Sequence, residues 1–152
     1  MKEIDLQKTH KTLLSYFITM IIITTAIVVL CEVGIFNWWK GTYAGAMNLE
    51  YITKSIMILL TLISIPLSLK FFKIKFIRKK YDAADDRLQK YKELALIRLE
   101  VLILPMLLNT LLYYLFMSPS FGYMAIILLI CLCFLTPSKS RIKQETESIV
   151  NP

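Results

Sequence analysis

The stretch KFFKIKFIRKKYDAADDRLQKYK, residues 70–92, decides the fold because it places a basic connection between two long apolar halves of the chain. It holds nine of the eighteen Lys and Arg residues, whereas the segments on either side of it are nearly free of charge. Apolar segments separated by a basic connection are typical of membrane proteins, whose orientation follows their positive residues. We therefore expect this connection to fix the topology of the whole chain.

The apolar residues fall into four blocks of the length that a membrane span requires. With 57% hydrophobic residues and a mean hydropathy of +0.60, the 152-residue chain is too apolar for a soluble domain. Each block approaches the ~17 to 25 residues that cross a bilayer, and none shows the alternation of a barrel strand. Backbone groups in lipid must be paired within the chain, so these blocks must be helical. The sequence predicts an all-α fold of one domain, residues 1–152, with four transmembrane helices at about 13–33, 51–70, 97–117 and 121–136.

The distribution of positive charge predicts the orientation of these spans. Sixteen of the eighteen cations lie before the first span, in or next to the central connection, or in the polar tail 137–152. Only Lys40 and Lys54 lie on the other side. The positive-inside rule then places both termini and the connection in the cytoplasm. Topology thus accounts for the net charge of +7, and we expect no nucleic-acid partner. Small size and frequent Lys and Ile favour a bacterial inner membrane.

The basic connection, residues 70–96, divides into two parts with different expected roles. In the first part aromatic and aliphatic residues interleave with cations, which suits a segment at the membrane surface near anionic headgroups. The candidate residues for docking a partner or anionic lipid are Lys73, Lys75, Arg78, Lys79 and Lys80. In the second part Asp82 is placed to cap a helix that continues into the third span. We therefore expect spans two and three to extend into a cytoplasmic helical hairpin that turns near residues 80–82.

The cluster Asp82, Asp85 and Asp86 is the part of the chain that most resembles a metal site. Its spacing puts carboxylates on one helical face, where a hard cation could bind. Basic residues surround the cluster, however, and no histidine or second acidic motif accompanies it. Helix capping and local charge pairing explain it better, so we expect no metal and no cofactor.

The segment 34–50, between the first two spans, is rich in aromatic residues and glycine. Trp38, Trp39, Tyr43 and Tyr51 suit an aromatic belt at the outer headgroups, on a loop or a short interfacial helix. The alternative is a lid or docking patch for an extracytoplasmic partner, in which the paired tryptophans would be the anchors.

Four polar residues inside the spans are candidates for function, since ionisable or polar groups in a membrane are costly. Glu32 and Lys54 lie at similar depth in neighbouring spans, which predicts an ion pair between them, with Glu50 as a competitor for Lys54. An ion or proton site is the alternative. Asn109 and Tyr113 share one helical face; we expect Asn109 to make an interhelical hydrogen bond, and a polar permeation path is the alternative.

Two prolines predict kinks in the helices that flank the connection. Pro66 removes one hydrogen bond from the second span, and Ser64 and Ser68 are available to bind the carbonyl that it frees. Pro105 acts in the same way on the third span.

These features favour a non-enzymatic membrane subunit, scaffold or regulator that docks a partner or anionic lipid through its basic hairpin. A small homo-oligomeric transporter or channel is the alternative, with Asn109, Glu32 and Lys54 as its polar residues. A lipid-modifying membrane enzyme is a second alternative, but no motif supplies a nucleophile, a base or a metal set.

Overall fold

A computed structural model describes residues 3–71, 87–136, 138–140 and 142–144. This part of the chain contains four long helices and no strand: α1 Glu3–Glu32, α2 Met47–Leu69, α3 Arg87–Phe116 and α4 Pro119–Phe134. The all-helical class is therefore confirmed. Helices α1, α2 and α3 are long and apolar enough to cross a membrane, and α4 is apolar but only 16 residues long. The chain thus has the features of a helical membrane protein.

Helices α2 and α3 border the expected hairpin. Among the described residues helix α3 begins at Arg87, well before the expected span boundary at residue 97, so residues 87–96 of the connection are helical and lead into the third span. Helix α2 ends at Leu69, where the N–H of Lys70 donates to the carbonyl of Pro66. Residues 72–86, with the expected turn, lie outside the described residues, and the hairpin stays a prediction.

Helix α3 is the central helix of the bundle and packs against each of the other three. In the most apolar 18-residue window of each helix, the buried share is 56% for α3, 22% for α2 and 11% for α1. Helix α4 also packs on α2, whereas α1 makes its main contacts with α3 alone. The outward faces of α1 and α2 are apolar, as expected for surfaces in contact with lipid.

The buried residues form three layers along α3. We call the end where α2 ends and α3 begins the basic end, and the opposite end the loop end. The layer at the basic end includes Leu13, Phe71, Tyr91 and Ile142. The middle layer joins α1, α3 and α4, and its buried members are Phe17, Leu99, Leu102, Ile103, Met106, Leu128, Leu132 and Leu135. The layer at the loop end is formed by Met57, Phe116, Phe121 and Met124. The start of α1 and the segment after α4 therefore meet the connection at one end of the bundle.

Residues 33–45 form a series of turns instead of an interfacial helix. Gly34, Gly41 and Gly45 have φ of 89°, 68° and 94°, in the region that favours glycine. The turns are held on the end of α3, because the N–H of Gly41 donates to the carbonyl of Tyr114 at 2.9 Å. The N–H of Tyr43 likewise donates to the carbonyl of Leu115 at 3.3 Å. The loop therefore covers the end of the central helix.

A tight turn joins α3 to α4 at the same end. Met117 adopts a positive φ of 53°, Ser118 is extended, and Pro119 occupies the first turn of α4. Proline suits this position because its missing N–H has no intrahelical partner there. The turn brings the rings of Phe116 and Phe121 together at a centroid distance of 5.6 Å, so α3 and α4 are antiparallel neighbours.

The prediction that Ser64 and Ser68 bind the carbonyl freed by Pro66 is wrong. Proline at position 66 frees the carbonyl of Leu62, four residues earlier. The hydroxyl of Ser64 instead donates to the carbonyl of Leu60 at 2.7 Å. Ser68 binds α3, as described below. A serine bonds most easily to the carbonyl four residues before it, and this local geometry decides the outcome for Ser64.

Candidate functional site

Two hydrogen bonds join α2 to α3 at the basic end. The Nε of Arg98 donates to the carbonyl oxygen of Ser68 at 2.9 Å, and the Ser68 hydroxyl donates to the carbonyl oxygen of Arg98 at 3.2 Å. Ser68 is fully buried, and Arg98 is only 8% exposed. A buried guanidinium is stable only when its donors are satisfied, so these bonds hold the two helices in one register. We call this pair of bonds the Ser68–Arg98 clamp.

Apolar packing surrounds the clamp. Phe71, one turn beyond Ser68, is buried against Tyr91 and Leu94 near the start of α3. Leu13 of α1 and Ile142, after α4, complete the same cluster. The two ends of the basic connection, at Phe71 and at the first turns of α3, are therefore fixed next to each other.

The residues between these two ends carry most of the predicted docking site. Lys73, Lys75, Arg78, Lys79 and Lys80 lie outside the described residues, and so do Asp82, Asp85 and Asp86. Among the residues that the structure does describe, no three His, Cys, Asp or Glu side chains come together as a metal site.

Asn109 makes the expected interhelical hydrogen bond. Its side chain is fully buried, and its Nδ2 donates to the hydroxyl of Thr61 on α2 at 3.4 Å and to the carbonyl of Pro105 at 2.9 Å. The second bond lies within α3, one turn away. In the described part of the chain no group pairs with its Oδ1. Asn109 is thus enclosed between helices and has no contact with solvent or lipid.

The predicted ion pair between Glu32 and Lys54 does not form between these two described side chains. The Nζ of Lys54 lies 3.0 Å from Oε1 of Glu50, its competitor partner one turn earlier on α2. Glu32 instead accepts a hydrogen bond from the hydroxyl of Tyr114 on α3, at 2.9 Å. A partner on the same helix needs no tertiary contact to come within reach, which explains why Glu50 is preferred.

A half-open groove runs between α1 and α4 in the half of the bundle nearest the loop end. Its floor is α3, and its volume is about 590 Å³. Tyr113 lines it and packs its ring on Gly122 of α4, where an added Cβ would lie 3.3 Å from the ring. Glu32 is at the end of this groove. The four candidate polar residues are therefore separated: Glu32 and Tyr113 face the groove, whereas Asn109 and Lys54 bond elsewhere.

The two tryptophans of the loop differ in exposure. Trp38 is 81% exposed, and Trp39 is partly buried. Tyr51, at the start of α2, is also exposed. Exposed aromatic residues at this end are compatible with the expected belt, and the docking role of Trp38 and Trp39 stays a prediction.

Three contacts between distant residues could not be found from the sequence. The hydroxyl of Tyr16 on α1 donates to Glu100 on α3. The others are the bond of Tyr114 to Glu32 and the clamp formed by Arg98. The only available signal was the presence of a charged or phenolic group near a span boundary, which identifies the group but not its partner.

Comparison with known proteins gives no further information about the site. No protein family, curated protein or solved structure matches the chain.

Proposed function

We propose that this chain is a non-enzymatic integral membrane subunit or scaffold that docks a partner protein through its basic connection. The observation that carries this proposal is the Ser68–Arg98 clamp with the apolar cluster around it. The described ends of the connection lie together on a packed base, which supports the docking role proposed for the cations between them.

Charge supports the choice of an acidic partner surface. Nine cations lie between residues 70 and 92, against three Asp residues in the same stretch. Cations in such number steer an acidic surface toward the protein and suppress basic partners. On this proposal the basic end and both termini face the cytoplasm of a bacterial inner membrane, and the connection forms the predicted helical hairpin.

The transporter alternative receives less support from the described residues. Its central residue would be Asn109, whose amide is enclosed between α2 and α3 and hydrogen-bonded to both. A polar path needs such a group to face water or a substrate, and burial of this kind favours a packing role.

The test is a charge reversal with a matched control. In one variant Arg78, Lys79 and Lys80 are all changed to Glu; in the control Lys139, Arg141 and Lys143 of the tail undergo the same change in charge. We expect the first variant to lose the partner on mild extraction and the control to retain it. A reporter fused after Pro152 checks that neither variant has inverted in the membrane.

A second assay separates binding to anionic lipid from binding to protein. The chain, purified in detergent, is mixed with phosphatidylglycerol, and the lipid that each variant retains is counted. Unchanged partner capture by the first variant would refute the proposal, and lost retention of phosphatidylglycerol with unchanged partner capture would assign the cations to lipid.

A further inference from the structure

The groove near the loop end exists because α1 and α4 both pack on α3 but make few contacts with each other. Its floor contains Met106, Thr110 and Tyr114, which are buried, while Tyr123 and Ile126 on its rim are exposed. Along α1 the groove extends from Ile21 to Glu32, which corresponds to about 16 Å at about 1.5 Å per residue. The groove is therefore long, narrow and open along one side, toward the surroundings of the bundle.

The inner part of the groove is apolar although three threonines line it. The hydroxyls of Thr24, Thr25 and Thr110 each donate to the carbonyl four residues earlier in their own helix, at 2.9 Å. The three hydroxyl groups therefore donate within the protein and need no acceptor from a ligand. Together with Val28 and Leu129, they form a surface suited to a hydrocarbon chain.

Glu32 lines the end of the groove, and Lys40, in the loop, approaches the ring of Tyr114, which also lines the groove. Tyr114 donates its hydroxyl to Oε1 of Glu32, and the ammonium of Lys40 lies 5.5 Å from the centroid of the same tyrosine ring. Among the described side chains, Glu32 and Lys40 form no ion pair with each other. The anion and the cation are thus held near one ring, each with capacity for a further partner.

We propose that the groove binds one aminophospholipid, with an acyl chain along the threonines and the zwitterionic headgroup at Glu32 and Lys40. A carboxylate pairs with an ammonium through charge-assisted hydrogen bonds, and lysine binds phosphate as a point charge. A lipid whose headgroup is only anionic lacks the ammonium and brings its negative charge close to Glu32. This repulsion gives the site a preference against phosphatidylglycerol.

The experiment uses the full-length chain, freed of bulk lipid in detergent and mixed with equal amounts of phosphatidylethanolamine and phosphatidylglycerol. Native mass spectrometry counts each lipid retained. We expect one phosphatidylethanolamine per chain, preferred by about tenfold, which corresponds to about 1.4 kcal/mol. Glu32→Gln should remove this preference. Glu50→Gln is the matched control, because Glu50 is a carboxylate paired with Lys54 on α2 and does not line the groove.

A second variant tests the groove without altering a charge. Ala125→Phe places a ring in the apolar part, and we expect it to reduce the retention of both lipids while Glu50→Gln has no effect. Equal retention of the two lipids that persists when Arg78, Lys79 and Lys80 are changed to Glu, which removes cations that could hold phosphatidylglycerol at the basic connection, would overturn the proposal. An unchanged preference in Glu32→Gln would overturn it as well. A lipid-free dimer would assign the groove to a second copy of the chain and would overturn it as well.

Discussion

Replacement of Arg98 by Met tests whether the Ser68–Arg98 clamp holds α2 and α3 together. Methionine keeps the long apolar stem of the side chain but removes the guanidinium and its bond from Nε to the Ser68 carbonyl. The Ser68 hydroxyl can still reach the backbone carbonyl at position 98, so only one of the two bonds is lost. The variant therefore isolates the contribution of the charged group.

The expected loss follows from the burial of the pair. Hydrogen bonds to charged groups contribute about 1.5–3 kcal/mol, and both residues here are buried. Removal of the buried charge also removes its desolvation cost, which lowers the net effect. We therefore expect Arg98→Met to lower the free energy of unfolding by about 1.5 kcal/mol, near the bottom of that range. Ser68→Ala should cost less, about 0.6 kcal/mol, as is usual for neutral hydrogen bonds between membrane helices.

The assay is equilibrium unfolding of the purified chain in mixed micelles, titrated with a denaturing detergent and followed by circular dichroism. Lys70→Met is the matched control. It removes an exposed cation close to Ser68, and we expect a change within about 0.5 kcal/mol. If Arg98→Met is no less stable than Lys70→Met, the clamp does not hold the helices, and the argument for a fixed basic end fails.

Three further predictions concern the other parts of the bundle. Asn109→Leu should change the free energy of unfolding by less than about 1 kcal/mol, because loss of the hydrogen bond to α2 is offset by removal of a buried oxygen that has no partner. Asn48→Leu, at an exposed position, is the control; a loss above about 2 kcal/mol in Asn109→Leu with no change in Asn48→Leu would contradict this. Gly41→Ala should destabilise the protein by about 1 kcal/mol because its φ is 68°, and an unchanged melting temperature would show that the loop does not depend on this turn. A reporter fused after Pro152 should signal a cytoplasmic C terminus, and an external signal would refute the assigned orientation.

The helical class could be predicted from the sequence because lipid restricts the chain to very few structures. Charge-free blocks of this length must be helical, and the structure confirms the class. The helix bounds were less accurate. α1 and α3 extend past the apolar blocks into charged residues, since a helix does not end where hydropathy ends. The part of the basic connection between Phe71 and Arg87, residues 72–86, lies outside the described residues, and the hairpin is still a prediction.

The polar contacts show where reasoning from the sequence stops. The contact of Asn109 with another helix follows from the cost of burying an amide, and it was predicted correctly. The predicted pairing of Lys54 with Glu32 was wrong, because Glu50, four positions away on the same helix, is a better partner than a residue on another helix. The bonds of Tyr114 to Glu32 and of Arg98 to Ser68 join residues 82 and 30 positions apart. Such pairs depend on the rotation of each helix about its axis, which hydropathy does not determine when all faces are apolar.

The docking proposal is tested most directly by the mass of the intact assembly after gentle extraction of the tagged chain from its native membrane. The account predicts a second protein in fixed stoichiometry with the chain, lost when Arg78, Lys79 and Lys80 are changed to Glu. A homo-oligomer of the chain alone, unaffected by these changes, would contradict the docking role and favour transport, with Asn109 as the first residue to examine.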